Sequence, residues 1–370
     1  MILNIILTML NFLLTLLLTL VVILLIFAVL AFHFCKSSKN LPKGWYEWRT
    51  ELRLQAIGLG GLVQDYILKD KNHVELYKQP DRVAVITGGN RGIGLRIVEK
   101  LLECEMTVVM GVRNPKSAEK SVGEIVDLNT TKGKLICEKL DVGSLESVKE
   151  FGKILQQKFD KIDILFNNAG IMFAPFELTK DGFESHFGVN YLGHFLLTHM
   201  LLPQLKKAGR DGLNSRIVNV SSIVNLVGRI NYEDINGSKH YYAATAYNQS
   251  KLAQVLFTKH LQKMLDEEGS HVQVHAVHPG VVDTDLFQHS STTNIPVLKK
   301  FFFKNPEEGS RCVVYAAIAP KLEGKGGSYL SNCVRVQVNP AAKSPEKCEK
   351  LFKFSCSLLD IDVFGTGIEQ

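Results

Sequence analysis

Arg82-Val-Ala-Val-Ile-Thr-Gly-Gly-Asn-Arg-Gly-Ile-Gly94 is a short apolar run of β type that ends in glycines, and a helical pattern follows it to about Cys104. Glycines at such a strand–helix turn let the backbone bend tightly and approach a pyrophosphate, which then rests on the helix N-terminus. The spacing is T-G-x-x-x-G-x-G, longer than the plain dinucleotide fingerprint, and Gly88, Asn90, Arg91, Gly92, Ile93 and Gly94 are its candidate contacts. A glycine-rich turn also arises for packing reasons alone. Its place at the head of a βαβ unit favours the phosphate reading.

Working outward, the pattern predicts strands over 82–87, 106–110, 134–140, 162–166, 216–220 and 272–277. Helices are expected over 116–128, 144–159, a long stretch reaching about Lys207, and the segment around Tyr247. Strands alternating with helices of about 10–15 residues or more specify an α/β fold, a doubly wound parallel sheet covered on both faces. The organisation expected is a membrane anchor over 1–35, a juxtamembrane linker over 36–79, one catalytic domain over 80–340 and a tail over 341–370.

The end of the second strand selects between cofactors. A NAD site places an acid about 20 residues beyond the glycines, on the ribose. Here the strand ends Met110-Gly-Val-Arg-Asn114, without an acid. Arg113 and Arg91 suit a 2′-phosphate through the guanidinium fork, unless both are merely solvated. The expectation is NADP(H) in preference, with NAD(H) left open. Asp141-Val142 ends the third strand and either meets an adenine edge or caps a helix. Asn168, Ala169 and Gly170 close the fourth strand, where small residues permit close approach to the sheet edge or the cofactor ribose.

Tyr247 and Lys251 lie four apart on a helix and share one face, so the ammonium is expected to lower the phenol's pKa. A tuned phenol exchanges a proton with an alcohol or carbonyl oxygen. Alone, the spacing is one that chance supplies. Ser221-Ser222 stands at the carboxyl edge of the fifth strand, where a hydroxyl can hold a substrate oxygen, and neither serine sits in a G-x-S-x-G elbow. Asn190 lies inside a helical run and is read as kinking it around a water, or as a plain surface residue. Pro279, Gly280, Val282 and Thr284 follow the sixth strand and shape a nicotinamide pocket, with Thr284 near the carboxamide.

The 370 residues carry a net charge of +6 without a basic stripe, which excludes nucleic acid as a partner. Residues 1–35 contain no Asp, Glu, Lys or Arg, and the apolar run from Leu10 to Phe34 exceeds the ~20 residues a bilayer span needs. Its length and the lack of a basic n-region oppose a cleaved signal peptide. Lys36, Lys39 and Lys43 follow the run, which places the remainder of the chain on the cytosolic side. Trp45, Tyr46 and Trp48 sit among basic residues as interfacial anchors, and 52–68 either lie on the membrane or pack against the domain. The seven cysteines are scattered without metal-type spacing and read as free thiols, with no metal site. Val297-Leu-Lys-Lys-Phe-Phe-Phe-Lys304 suits a headgroup boundary or an inward-packed lid. The insert 223–245 is long enough to line an elongated apolar pocket.

The set as a whole resembles the short-chain dehydrogenase/reductase family over about residues 80–340. It rests on the 87–94 turn, Asn-Asn-Ala-Gly at 167–170, Asn190, Ser222, Tyr247 with Lys251, and Pro279-Gly280. The resemblance implies a Rossmann fold and a tetrad of Asn190, Ser222, Tyr247 and Lys251. In it Tyr247 is the acid/base, Lys251 also binds the ribose, Ser222 steadies the substrate oxygen and Asn190 holds a relay water. Residues 181–195 are similar to the retinol-dehydrogenase-like branch. Gly280–Leu286 and Pro306–Gly309 look most like its members acting on polyprenol- and dolichol-type isoprenoids, which are implied to use both NAD and NADP; Arg113 and the longer apolar N-terminus depart from them. The expected partners are thus a lipophilic alcohol or carbonyl and membrane lipid, at a membrane of endoplasmic-reticulum type, and a homodimer stays open. The alternatives are a retinol or steroid dehydrogenase, or a non-catalytic membrane adaptor on the same fold.

Overall fold

A computed structural model describes residues 44–286 and 303–367. The expected anchor and most of the 297–304 segment lie outside the described residues. Among the described residues no helix is long and apolar enough to cross a membrane.

The chain runs α1 (Trp45–Ile67), β1 (Val83–Thr87), α2 (Gly92–Glu103), β2 (Thr107–Val112), α3 (Pro115–Gly123), β3 (Lys134–Lys139), α4 (Leu145–Lys158) and β4 (Ile164–Asn167). It continues through α5 (Gly193–Ala208), β5 (Ser215–Val220), α6 (Ala243–Glu267), β6 (Val272–His278), α7 (Pro306–Ile318), β7 (Ser328–Ser331), β8 (Val334–Arg335) and α8 (Pro345–Leu358). These strands form one sheet in the order 3-2-1-4-5-6-7-8. β1 to β7 are parallel and β8 pairs antiparallel with β7. The central strands are buried on both faces, as parallel sheets require, which is why they read as apolar runs without alternation. One face carries Ile97, Leu101, Val313 and Val314 from α2 and α7. The other carries Phe151, Phe195, Phe257 and Phe352 from α4, α5, α6 and α8.

Strand order reverses between β1 and β4, and such a switch point opens a crevice outside the strands' carboxyl ends. The glycine turn, the Asn168–Gly170 turn and Ser222 all lie at that edge.

Several boundaries differ from the sequence expectation. The third helix stops at Gly123 rather than 128. The long helical stretch before Lys207 is broken: 168–184 form no helix, Ser185–Phe187 make one turn, and Gly188–Leu192 form a π turn ahead of α5. The π turn has a visible cause. The Asn190 carbonyl accepts from the Gln254 side chain at 2.7 Å and meets His194 Nδ1 at 3.2 Å, so it is drawn out of the α-helical ladder. Residues 341–367 pack into the core, with Phe352 and Phe364 beside Phe195 at ring-centre distances of 5.3 and 4.9 Å.

α1 lies against the 223–227 turn and α6. Asp65 near its end pairs with Lys304 at 2.9 Å and accepts from Val281 N and Asn332 Nδ2, each at 2.9 Å. Lys304 is thus buried in protein rather than placed at a headgroup boundary.

Candidate active site

The glycine turn is built for close approach. Gly88 and Gly92 hold φ of +69° and +56°, the left-handed region that costs a side chain about 1 kcal/mol or more. A Cβ on Gly94 would stand 2.2 Å from the Gly88 carbonyl. Behind it, Thr87 Oγ1 accepts from the backbone N–H of Asn168 and of Ala169, both at 3.0 Å. Asn168 Nδ2 donates to Thr87 O at 2.9 Å and Gly88 O at 3.0 Å. The Asn168 amide therefore braces the turn. The bare backbone ahead of the twelve-residue α2 fits a pyrophosphate at a helix N-terminus.

Around that cradle the other expected cofactor contacts fall as follows. Thr284 lies against Gly92, with its Cγ2 3.3 Å from where a Cβ there would stand. Val282 is buried against Gly309, where a Cβ would meet it at 2.6 Å and Ile93 at 3.3 Å, while Pro279 O accepts from Lys304 Nζ at 3.4 Å. Gly280 holds a φ of +100°, and a Cβ there would also meet Lys304 and Asp65 within 2.8 Å. Arg91 is exposed and pairs with Asp285 at 3.3 Å. Arg113 is exposed just past the end of β2. The Asp141 carboxylate accepts from Gly143 N at 3.0 Å, closing its own turn ahead of the Ser144 cap, and Val142 is buried beside Gly193.

The proton-transfer candidates converge on α6. Tyr247 is 3% exposed and lies in an apolar cluster with Leu54, Met172, Val224 and Ala244. Phe173 meets its ring edge-on at 5.4 Å, and the His186 ring lies 6.1 Å away. Lys251 Nζ stands 5.8 Å from the Tyr247 ring centre and donates to Val220 O at 2.8 Å and Gln254 Oε1 at 3.4 Å. Asn190 and Lys251 both flank Gly170: a Cβ there would lie 3.1 Å from Asn190 Oδ1 and 3.6 Å from Lys251 Nζ.

The electrostatics depart from the sequence expectation. Burial pushes the Tyr247 phenol up to about 12, opposed by a hydrogen bond from Ser222, and Lys251 does not lower it. Burial likewise pulls Lys251 down to about 7. Burial along α6 penalises the phenolate and the ammonium alike.

Asn190 is fully buried, and its amide is held at both ends. Nδ2 donates to Ile171 O at 3.0 Å and Ser250 Oγ at 2.9 Å, and Oδ1 accepts from Ile171 N at 2.8 Å. This fastens the π turn to the loop after β4. Sequence reasoning missed Leu54, Met172 and Phe173, which the chain places far from Tyr247. It also missed the buried Glu184–His186 pair at 2.7 Å, although both residues stand in the 181–195 stretch.

The family described as short chain dehydrogenase matches residues 82–295. The chain is 38% identical over 321 residues to polyprenol dehydrogenase from Homo sapiens, covering 85% of this chain and 96% of that protein. It is 39% identical over 284 residues to retinol dehydrogenase 12 from Mus musculus, covering 76% and 87%. A solved structure of a Mycobacterium paratuberculosis protein aligns with a TM-score of 0.62 at 33% identity, covering 77% of this chain and 96% of that one.

Proposed function

The chain belongs to the short-chain dehydrogenase family, in its retinol-dehydrogenase-like branch, and on that premise we propose a membrane-anchored oxidoreductase that interconverts a polyprenol- or dolichol-type alcohol and its aldehyde or ketone. It is an NAD(P)-dependent enzyme. The observation that carries the finer reading is the apolar packing of Leu54, Met172, Val224 and Ala244 with the buried Tyr247. Apolar surroundings of this kind suit a long hydrocarbon bearing one oxygen. Likeness to a polyprenol dehydrogenase supports the isoprenoid class, and likeness to a retinol dehydrogenase keeps retinoids as the second substrate to try.

When bound, the nicotinamide cofactor accepts or supplies a hydride at C4. Gly88, Asn90, Gly92, Ile93 and Gly94 would hold its pyrophosphate. Arg113 and Arg91 favour a 2′-phosphate over a free hydroxyl, hence NADP(H). Ser222 hydrogen-bonds the substrate oxygen, and Tyr247 gives that oxygen a proton in reduction or takes one in oxidation. Lys251, which donates to Val220 O and lies beside the Tyr247 ring, would orient the phenol and hold the cofactor ribose. Asn190 keeps the loop after β4 in register with α6.

The test is a turnover panel of isoprenoid, retinoid and steroid alcohols, using the full chain in lipid nanodiscs with NADP and NAD. Fastest turnover of a polyprenol or dolichol is expected. Preference for retinol or a steroid would overturn the isoprenoid assignment.

A further inference from the structure

α1 is amphipathic in the wrong sense for a helix of a soluble domain. Its domain side carries three buried carboxylates, Glu47, Glu51 and Asp65. Each has a partner: His240 on Glu47 at 2.8 Å, the Tyr242 hydroxyl on Glu51 at 2.7 Å, and Lys304 on Asp65 at 2.9 Å. Its outward side carries Trp45, Trp48, Leu52, Leu59, Val63 and Tyr66, all 40–80% exposed. Steps of three, four and seven residues keep these six on one stripe of a 3.6-residue helix. An ordinary surface helix turns such a stripe inward. Here the fold holds it out through polar bonds on the opposite side, and a patch of this kind marks a surface made to be covered.

Three observations say what covers it. The apolar run ending at Phe34 reads as a bilayer span, and only ten residues separate it from Trp45. Fully extended, that tether reaches at most about 35 Å, so α1 cannot leave the neighbourhood of the bilayer. The flank of the stripe is basic: Arg49 and Arg53 of α1 converge with Arg229 on one small pocket. Into the same pocket faces Asn248, 2% exposed, whose two amide atoms have no hydrogen-bond partner among the described residues. Buried amide groups left unpaired are costly unless a ligand satisfies them. Guanidinium groups and an amide donor suit a phosphodiester oxygen.

We propose that α1 seats the domain on the bilayer, with its outward stripe in the headgroup–acyl boundary and the Arg49–Arg53–Arg229 pocket on a lipid phosphate. Leu54, on the inner side of the same helix, packs in the Tyr247 cluster. The proposal extends the membrane-anchored reading above, and its test needs no turnover.

Trp45 and Trp48 are the only two tryptophans of the chain, so intrinsic tryptophan emission reports this face alone. The full chain is reconstituted in phosphatidylcholine–phosphatidylserine vesicles whose acyl chains carry bromine near the headgroup. The expected result is loss of most of the emission to bromine quenching, with little quenching by aqueous acrylamide. Emission open to acrylamide and untouched by bromine overturns the proposal. So does shielding from both quenchers, which would mean that protein covers the face. Leu59→Glu with Val63→Glu is expected to lose the bromine quenching while circular dichroism stays unchanged, and Arg49→Glu with Arg229→Glu to weaken it. Retention of full quenching in the first double variant refutes seating by this stripe. A chain that passes these tests yet turns over no lipid alcohol overturns the proposed function and leaves the seating intact.

Discussion

Asp65 and Lys304 form a buried ion pair, 2.9 Å from Oδ1 to Nζ, that ties the N-terminal helix to the chain beyond β6. Lys304 also donates to Asn332 Oδ1 at 2.7 Å, and Asp65 holds the backbone N–H of Val281. The helix that walls the tyrosine and the loop that follows the sixth strand are therefore joined by one polar knot.

Breaking that knot on one side leaves a charge buried without its partner. Lys304→Met should cost about 3–5 kcal/mol of stability, read as a lower urea midpoint in detergent micelles. Adding Asp65→Asn should recover part of the loss. A double variant as unstable as the sum of the two singles would show that the pair does not act as a unit.

Tyr247→Phe keeps the ring and its edge-on contact with Phe173 and removes only the hydroxyl. Turnover should fall by about 10²- to 10⁴-fold with thermal stability unchanged. Full cellular function in this variant would favour a non-catalytic adaptor over an enzyme.

Arg113, exposed beyond β2, is the residue to test for cofactor choice. With Arg113→Asp, KM for NADPH should rise by about tenfold or more, the loss of about 1.4 kcal/mol or more of charged contact, and KM for NADH should change little. Equal effects on both cofactors would remove the arginine from the phosphate site.

His194, His275 and His278 are buried, and burial pulls their imidazoles down to about 4, 3 and 4. The unfolded chain binds their protons near pH 6.5, before the folded chain does, so unfolding takes up protons and stability drops as pH falls from about 6.5 toward 4. Each contributes a slope of about 1.4 kcal/mol per pH unit in that window. Urea titrations at pH 7.5, 6 and 5 check the trend, and His278→Asn should flatten it.

Much of the architecture was legible in the sequence, because a parallel sheet buried on both faces writes itself as apolar runs separated by helical patterns. The glycine turn was equally plain, since a positive φ and a close backbone approach leave glycine as the residue that fits. Tyr247, Lys251, Ser222 and Asn190 were candidates from residue type, order and the family resemblance, and the structure brings Tyr247 and Lys251 together on α6. A kink at Asn190 was one of two readings of the sequence, but its form as a π turn was not, because the carbonyl of Asn190 leaves its ladder for Gln254, 64 residues away.

The sequence by itself thus determined the order of strands and helices, the glycine cradle and the identity of the candidate tetrad, all of which rest on local backbone chemistry. Only the tertiary structure decided the ionisation of Tyr247 and Lys251, since burial depends on what the rest of the chain packs around them. It alone also decided that residues 45–67 turn their carboxylates inward and their tryptophans outward. The partners of those carboxylates, His240, Tyr242 and Lys304, lie nearly two hundred residues or more along the chain, beyond the reach of any helical period.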